Sequence, residues 1–472
     1  MTQAQVAAEH YEPDGVGDQR KVCVNLYAEQ NAPDPARPQR LVTRPGSLKL
    51  DTGNITSPRG LFQMDGHASG NILIADGGTL RTYDGSSFGA LTGTLPGTDR
   101  VTMAFAEVQA GLLTNGQLYV SDGTSVAAVT DADWATLLSD HNQTQFTSIA
   151  TLGQRLLATY GSRFAYSQTL EFNNTTTLSF YTSEDTPDGI VAGHILGDRY
   201  YVFGTSTIEI WVQTGSADDP FRPQTSSVIQ RGCLARDTIR LVDNSLIFVA
   251  DDYTVRRIEA GSARILSKEW VARLIANESP GDLIASVMEY DNHTFYVLNG
   301  LNFCLWFDVA TGLWTRHSSF DQASWQWGYV LQDGGQFYGL DRTNGRFAEI
   351  SRSYESEYKA DASTAGDPLL WEMSAHLPVQ SGRKAIKSVR LDSNKGRGAS
   401  DDPFEDAIVE MALSKDGGNI YGPWRKRSLG TQGQYSQRAI WRRNGRARDP
   451  MTVMRFRGTD PMIITGVSVN AD

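Results

Sequence analysis

The feature that most constrains this chain is a recurring tight turn. Asp or Asn followed by Gly occurs at Asp76-Gly77, Asp84-Gly85, Asn115-Gly116, Asp122-Gly123, Asn299-Gly300, Asp333-Gly334 and Asn344-Gly345. Such pairs supply the positive φ that type I′ hairpin turns need. The segments between them are short, rich in Val, Ile, Tyr, Phe and Thr, and often alternate apolar with polar residues, as half-buried strands do. The pattern predicts an all-β protein.

A strand, a Gly, Asn or Asp turn and a second strand recur about every 35 to 50 residues, the period of propeller blades. The units contain NILIADGGTLRTYD from Asn71, GLLTNGQLYVSDG from Gly111, TSIATLGQRLLATYGSRFAYS from Thr147 and HILGDRYYVFGTSTIEIWV from His194. LVDNSLIFVADDYTVRRI follows from Leu241, then a unit from Ser286 to His317, then WGYVLQDGGQFYGLDRTNGRFAEI from Trp327. The count is about seven, which a β-propeller over residues 51–352 accommodates. In the sixth unit Phe303, Leu305, Phe307 and Val309 are expected on one strand face, as aromatics packed between blades. KEWVARLIAN from Lys268 spaces Trp270, Val271, Leu274 and Ile275 as a short helix, with Ser267 as its N-cap.

Residues 1–50 read as a segment packed on the propeller. After Ser353 the polar stretch SRSYESEYKADASTAGDP reads as a linker. A second β unit then begins near Leu369, with AIKSVRLD, DAIVEMALSKD, TVMRFRG and MIITGVSV as strands. Residues 353–472 are thus a linker plus a small C-terminal β-sandwich-like domain.

Cys23, Cys233 and Cys304 are odd in number and far apart, which suits buried thiols better than a disulfide framework. The N-terminus has no apolar run that would make a secretory signal or membrane anchor, so assembly in a cytoplasm is expected. The seven histidines show no metal-ligand spacing, and neither metal nor cofactor is expected. The net charge of −11 opposes nonspecific nucleic-acid binding by the chain as a whole. From Tyr421 to Arg457, however, ten Lys or Arg residues face a single acid, Asp449.

VNLYAE at Val24 to Glu29, followed by Arg44-Pro45-Gly46, resembles the opening of the packaged-DNA stabilisation, or tail hub, proteins of short-tailed bacteriophages. The resemblance continues in SEDTPDGIVAGHILGDRYYVFGTSTIEIWVQTG from Ser183 to Gly215, in RGCLARDT, in the Lys268–Asn277 helix, and in KDGGNIYGPWR and RAIWRRNGRARD. It spans nearly the whole chain and is weakest at residues 91–142 and in the linker. It implies a structural virion protein, not an enzyme: a homohexameric ring mounted on the head-to-tail adaptor beneath the portal complex. That ring would close the capsid exit on packaged DNA and offer docking surfaces for a tail needle and tailspikes. The resemblance alone supplies the ring size.

The rival class is a propeller glycosidase or glycan-binding module. Ser414-Lys-Asp416-Gly-Gly418 resembles the Asp-box turn of sialidases, although such a box is a folding device in which Asp and Ser bind turn backbone. Glycoside hydrolysis would need converging carboxylates, and no spacing favours any pair among Glu209, Asp251, Asp252 and Asp308. Gly85-Ser-Ser87-Phe-Gly89 spells a nucleophile elbow but sits in a turn between strands, where that motif does not function.

The interaction candidates are Trp424, Arg425, Lys426, Arg427, Arg438, Trp441, Arg442, Arg443, Arg446 and Arg448, interleaved with Tyr435. They suit phosphate of packaged DNA, an acidic surface on a neighbouring subunit or adaptor, or a plain solvated face. Arg with Trp is an interface signature and the rest of the chain is acidic, so the protein interface is the preferred reading. Arg455 and Arg457 alternate with Met454 and Phe456, which predicts a basic face continuous across strands.

Overall fold

The structure is a computed structural model; it describes residues 2–12, 21–30, 39–183, 188–224, 227–360, 366–377, 383–394, 407–431, 433–448 and 452–471. The chain forms two compact units, one of residues 51–289 and 327–347 and the other of residues 1–50, 290–326 and 348–472. Both are built almost wholly of strands.

The first of these units is the propeller. Among the described residues, six sheets of four or five strands stand separately. The repeat units beginning at Asn71, Gly111, Thr147, His194, Leu241 and Trp327 all supply hairpins to them, as the sequence predicts. The turns use the expected chemistry: Asn115 and Gly116 adopt φ of 51° and 71°, and Gly77 adopts 50°. Aspartates close the outer turns by accepting backbone hydrogens. Asp84 accepts from Ser86 and Ser87 at 2.8 and 2.7 Å, and Asp122 repeats the device with Thr124 and Ser125 one blade later.

Between neighbouring sheets lie apolar seams. Phe164 packs edge-on against Tyr200 and Trp211 at 5.2 and 5.0 Å, and Phe203 against Phe248 at 5.1 Å. Seven innermost strands, including Ile284–Tyr290, surround a central cavity of about 530 Å³. The expected count of about seven exceeds the six separate sheets, because the unit from Ser286 to His317 continues through Cys23–Val24 into a larger sheet.

The helix expected at Lys268 is present as Glu269–Ala276, burying Trp270, Val271 and Ile275. Its N-cap is Lys268 rather than Ser267, whose hydroxyl instead accepts from the Val255 amide at 2.9 Å. A second helix, Ala132–Asp140, was not anticipated. Asp131 caps it by accepting from Asp133 N at 3.0 Å, and Trp134, Leu137 and Leu138 are its buried face.

The second unit is a sandwich. One sheet carries Arg383–Ser393 between Ile463–Ala471 and Ile440–Arg442. The other carries Val453–Gly458 between Trp371–His376 and Ile408–Ser414, with Arg425–Ser428 at its edge. Their inner faces meet in a core that includes Trp371, Val389, Met411, Trp441, Phe456 and Val469. The described part of residues 1–50 is woven into sheets as strands. Thr2–Val6 pairs first with Ile463–Ala471 and then with Trp371–His376, crossing from one sandwich sheet to the other. Gln39–Thr43 also pairs with Ile463–Ala471, while Gly46–Lys49 pairs with Phe347–Ser351. Strand pairing across such sequence separations leaves no local signal to read.

The strand Cys304–Asp308 is buried along its whole length, so the expected apolar face formed by Phe303, Leu305 and Phe307 is matched by a buried opposite face. There Trp306 stacks on His317 at 3.9 Å. The next strand, Trp314–His317, is extended by Val24, which pairs parallel with Arg316. The three cysteines are buried and in no disulfide among the described residues.

Candidate functional site

The basic stretch folds into the facing edges of the two sandwich sheets. Arg425–Ser428 ends one sheet and Ile440–Arg442 ends the other. Edge strands leave unpaired carbonyls, and here side chains span the gap. The Trp441 indole donates to the Arg425 carbonyl at 2.6 Å, and Arg427 Nε donates to the Ile440 carbonyl at 2.9 Å. Arg425 donates to the Arg442 carbonyl at 3.4 Å and to the Asn444 side chain. Trp441 is fully buried, edge-on to Phe456 at 5.6 Å. Arg425, Arg427 and Trp441 thus close the sandwich.

Trp424 is half-buried under the Arg457 guanidinium, 4.2 Å from the ring centroid. Arg457 also pairs with Glu410 at 2.5 Å, and the exposed Lys426 approaches the same carboxylate at 3.8 Å. Arg455 pairs with Glu372 and lies over Tyr421. The expected continuous basic face is therefore interrupted: the strand face holding Arg455 and Arg457 is charge-matched by acids on both neighbouring strands. Glu372 and Glu410 stand directly opposite Arg457 in register.

What remains is a set of exposed cations along the Ile440–Arg442 edge and the segments flanking it. Arg438, Arg442, Arg443 and Arg446 are exposed, and none pairs with an acid among the described residues. Arg443 sits at φ 59° just past the strand end, and Arg446 lies opposite Ala385. The side chain of Arg448 lies outside the described residues, as does Asp449. Tyr435, exposed by 70%, stands in the loop between the two basic strands.

The enzymatic alternatives find no shared site. Glu209 accepts from Ser183 at 2.6 Å and from the Trp211 indole at 3.2 Å. Asp252 is bound by Arg256 at 2.6 Å, Asp251 by Arg231 at 3.3 Å, and Asp308 by His293 at 2.8 Å. None of the four lines the central cavity. Ser87 donates to Asp84 at 2.7 Å on an exposed turn. In the Asp box, Asp416 accepts from Asn419 N and Ile420 N at 3.1 and 3.0 Å, and Ser414 donates to it at 2.6 Å. These bonds hold its carboxyl below the ordinary value, as a turn clasp does. No group of three or more possible metal ligands occurs among the described residues.

The sequence reading missed a buried polar cluster built from the phrases that carry the family resemblance. Arg44, 1% exposed, pairs with the fully buried Glu357 at 3.1 Å and donates to Asn25 Oδ1 at 3.0 Å. Asn25 Nδ2 donates to the carbonyls of Ser318 and Leu370, and the Trp325 indole donates to Glu357 at 2.9 Å. Gly46 follows because a Cβ there would lie 2.3 Å from the Tyr354 carbonyl oxygen. The signal was the phrase VNLYAE with Arg44-Pro45-Gly46; its physical content is packing.

Among solved structures, the extracellular domain of a hybrid two-component system from B. thetaiotaomicron is similar at 13% identity, TM-score 0.42, over 81% of this chain and 48% of that one. The chain thus spans about half the length of that protein. A one-component system extracellular domain from the same organism gives 12% identity and TM-score 0.43, covering 92% and 62%. The computationally designed Ika8 protein gives 12% and 0.38, covering 74% and 97%. Likenesses at this level carry no functional argument. No curated protein matches by sequence. Two family descriptions do match: "Bacteriophage P22 Gp10, beta-propeller" over residues 23–354 and "Bacteriophage P22 Gp10, beta-sandwich" over residues 371–472. Together they account for the chain in the order its fold shows, and they describe structural phage proteins. The chain belongs to the bacteriophage P22 Gp10 family, the tail hub or stabilisation proteins of podoviruses.

Proposed function

We propose that the chain assembles as a ring, a hexamer by family resemblance, in the host cytoplasm and in the virion lies below the portal and adaptor. There it closes the capsid exit on packaged DNA and provides docking sites for the tail needle and tailspikes. The observation that carries a docking role is the exposure of Arg438, Arg442, Arg443 and Arg446 in a chain of net charge −11. A set of cations without acid partners among the described residues suits an acidic surface on an adaptor or a neighbouring copy, where charge complementarity sets encounter rate and register. The test is binding of the full chain to the portal and adaptor complex of the same genome, comparing wild type with Arg442→Glu/Arg443→Glu. Both side chains are exposed, so the variant keeps its fold, and docking weakens by about tenfold or more. Unchanged ring formation and docking would make these cations a solvated face.

A further inference from the structure

The central cavity of the propeller unit is lined unevenly. Leu61, Phe62, Met103 and Ile149 make apolar wall, whereas Arg100, Arg236, Asp237 and Arg240 bring charge to it. Arg100 donates to Asp237 at 2.9 Å and to the Leu283 carbonyl at 2.8 Å, and the two side chains retain 18% and 23% exposure. Arg240 donates to the Ile239 carbonyl at 2.7 Å. The charges of Arg100, Asp237, Arg342 and Arg240 all act on Tyr329, a lining residue whose hydroxyl has no hydrogen-bond partner among the described residues. Tyr329 thus lines the same cavity as Arg100, Arg236, Arg240 and Asp237.

His194, also in the lining, adds no charge near neutral pH, because burial and then Arg240 hold its imidazole at about 4. Burial above all, with the neighbouring Arg100 charge, pulls the Arg342 guanidinium below its ordinary value, against the opposing charges of Asp282 and Glu278. The charged groups of the lining, Arg100, Arg236 and Arg240 against Asp237, leave an excess of positive charge inside a molecule of net charge −11. A focused positive potential of this kind draws anions locally against the overall field.

We propose that the central cavity binds a small multivalent oxyanion of the phosphate class, held by the Arg100 and Arg240 guanidinium groups and the Tyr329 hydroxyl. Guanidinium donors match the oxygens of such an anion in charge-assisted pairs, and Tyr329 adds a neutral donor. The volume, about 530 Å³, is that of a small-molecule site. This inference does not depend on the hub reading.

The test is calorimetric titration of the full chain with inorganic phosphate and with pyrophosphate, at ionic strength held constant by chloride. The expected result is saturable binding that Arg240→Gln and Tyr329→Phe each weaken by about tenfold or more. Arg264→Gln, on an exposed strand of the same unit, leaves binding unchanged. Tyr329→Phe removes a single oxygen and decides the matter should Arg240→Gln fail to fold. Absence of saturable heat at millimolar pyrophosphate, or equal affinity in wild type and Tyr329→Phe, would overturn the proposal.

Discussion

At the residue scale, burial with complete pairing separates structural polar groups from those free to act outward. Arg44 and Glu357 are at most 1% exposed and fully engaged, so removing one leaves the other charged in the core. Arg44→Ala is expected to cost about 3–5 kcal/mol, read as a lowered denaturant midpoint. His293 gives a pH prediction. Its hydrogen bond to Asp308 raises the imidazole above its ordinary value, burial opposing. A folded-state pKa raised above the unfolded one contributes stability that is complete below the unfolded value and lost as pH rises through the folded one. Melting temperature should therefore fall as pH rises from about 6 to 8 by more in wild type than in His293→Gln. Equal slopes would show that the pair is not thermodynamically coupled to folding.

At the element scale, turns and caps govern what forms where. Asp131 serves both as N-cap of Ala132–Asp140 and as acceptor for Thr175 N at 2.9 Å. Asp131→Ala should cost about 1–2 kcal/mol by urea unfolding, whereas Asp133→Ala, which leaves the cap in place, should cost less. The hairpins were legible in the sequence because their determinants are adjacent residues, Asn115 with Gly116 or Asp84 with Gly85. The helix at Ala132 carried a readable signal in Asp131 and in the spacing of Trp134, Leu137 and Leu138. It was obscured by the strand rhythm around it.

Pairing of Thr2–Val6 with Ile463–Ala471 was not legible, since nothing local specifies a partner at the other end of the chain. The basic stretch was legible as composition. Its division was not: Arg455 and Arg457 are neutralised by Glu372 and Glu410, which reach them only through strand register, and Arg425 and Arg427 bind an edge that sequence spacing does not reveal.

At the scale of the whole molecule, a propeller unit and a sandwich unit are built from interleaved stretches of one chain of net charge −11, and the sandwich unit carries a cationic edge. Association through that edge should weaken as salt rises, because exposed charge pairs are screened over about 10 Å at 0.1 M ionic strength. A loss of adaptor affinity between 0.05 and 0.5 M salt that is steeper in wild type than in Arg442→Glu/Arg443→Glu would fit this. The most direct test of the hub account is the mass of the purified chain by light scattering, alone and after mixing with the portal and adaptor complex of its own genome. The account predicts a discrete shift to several copies per complex. A monomer that persists and ignores the complex would contradict it.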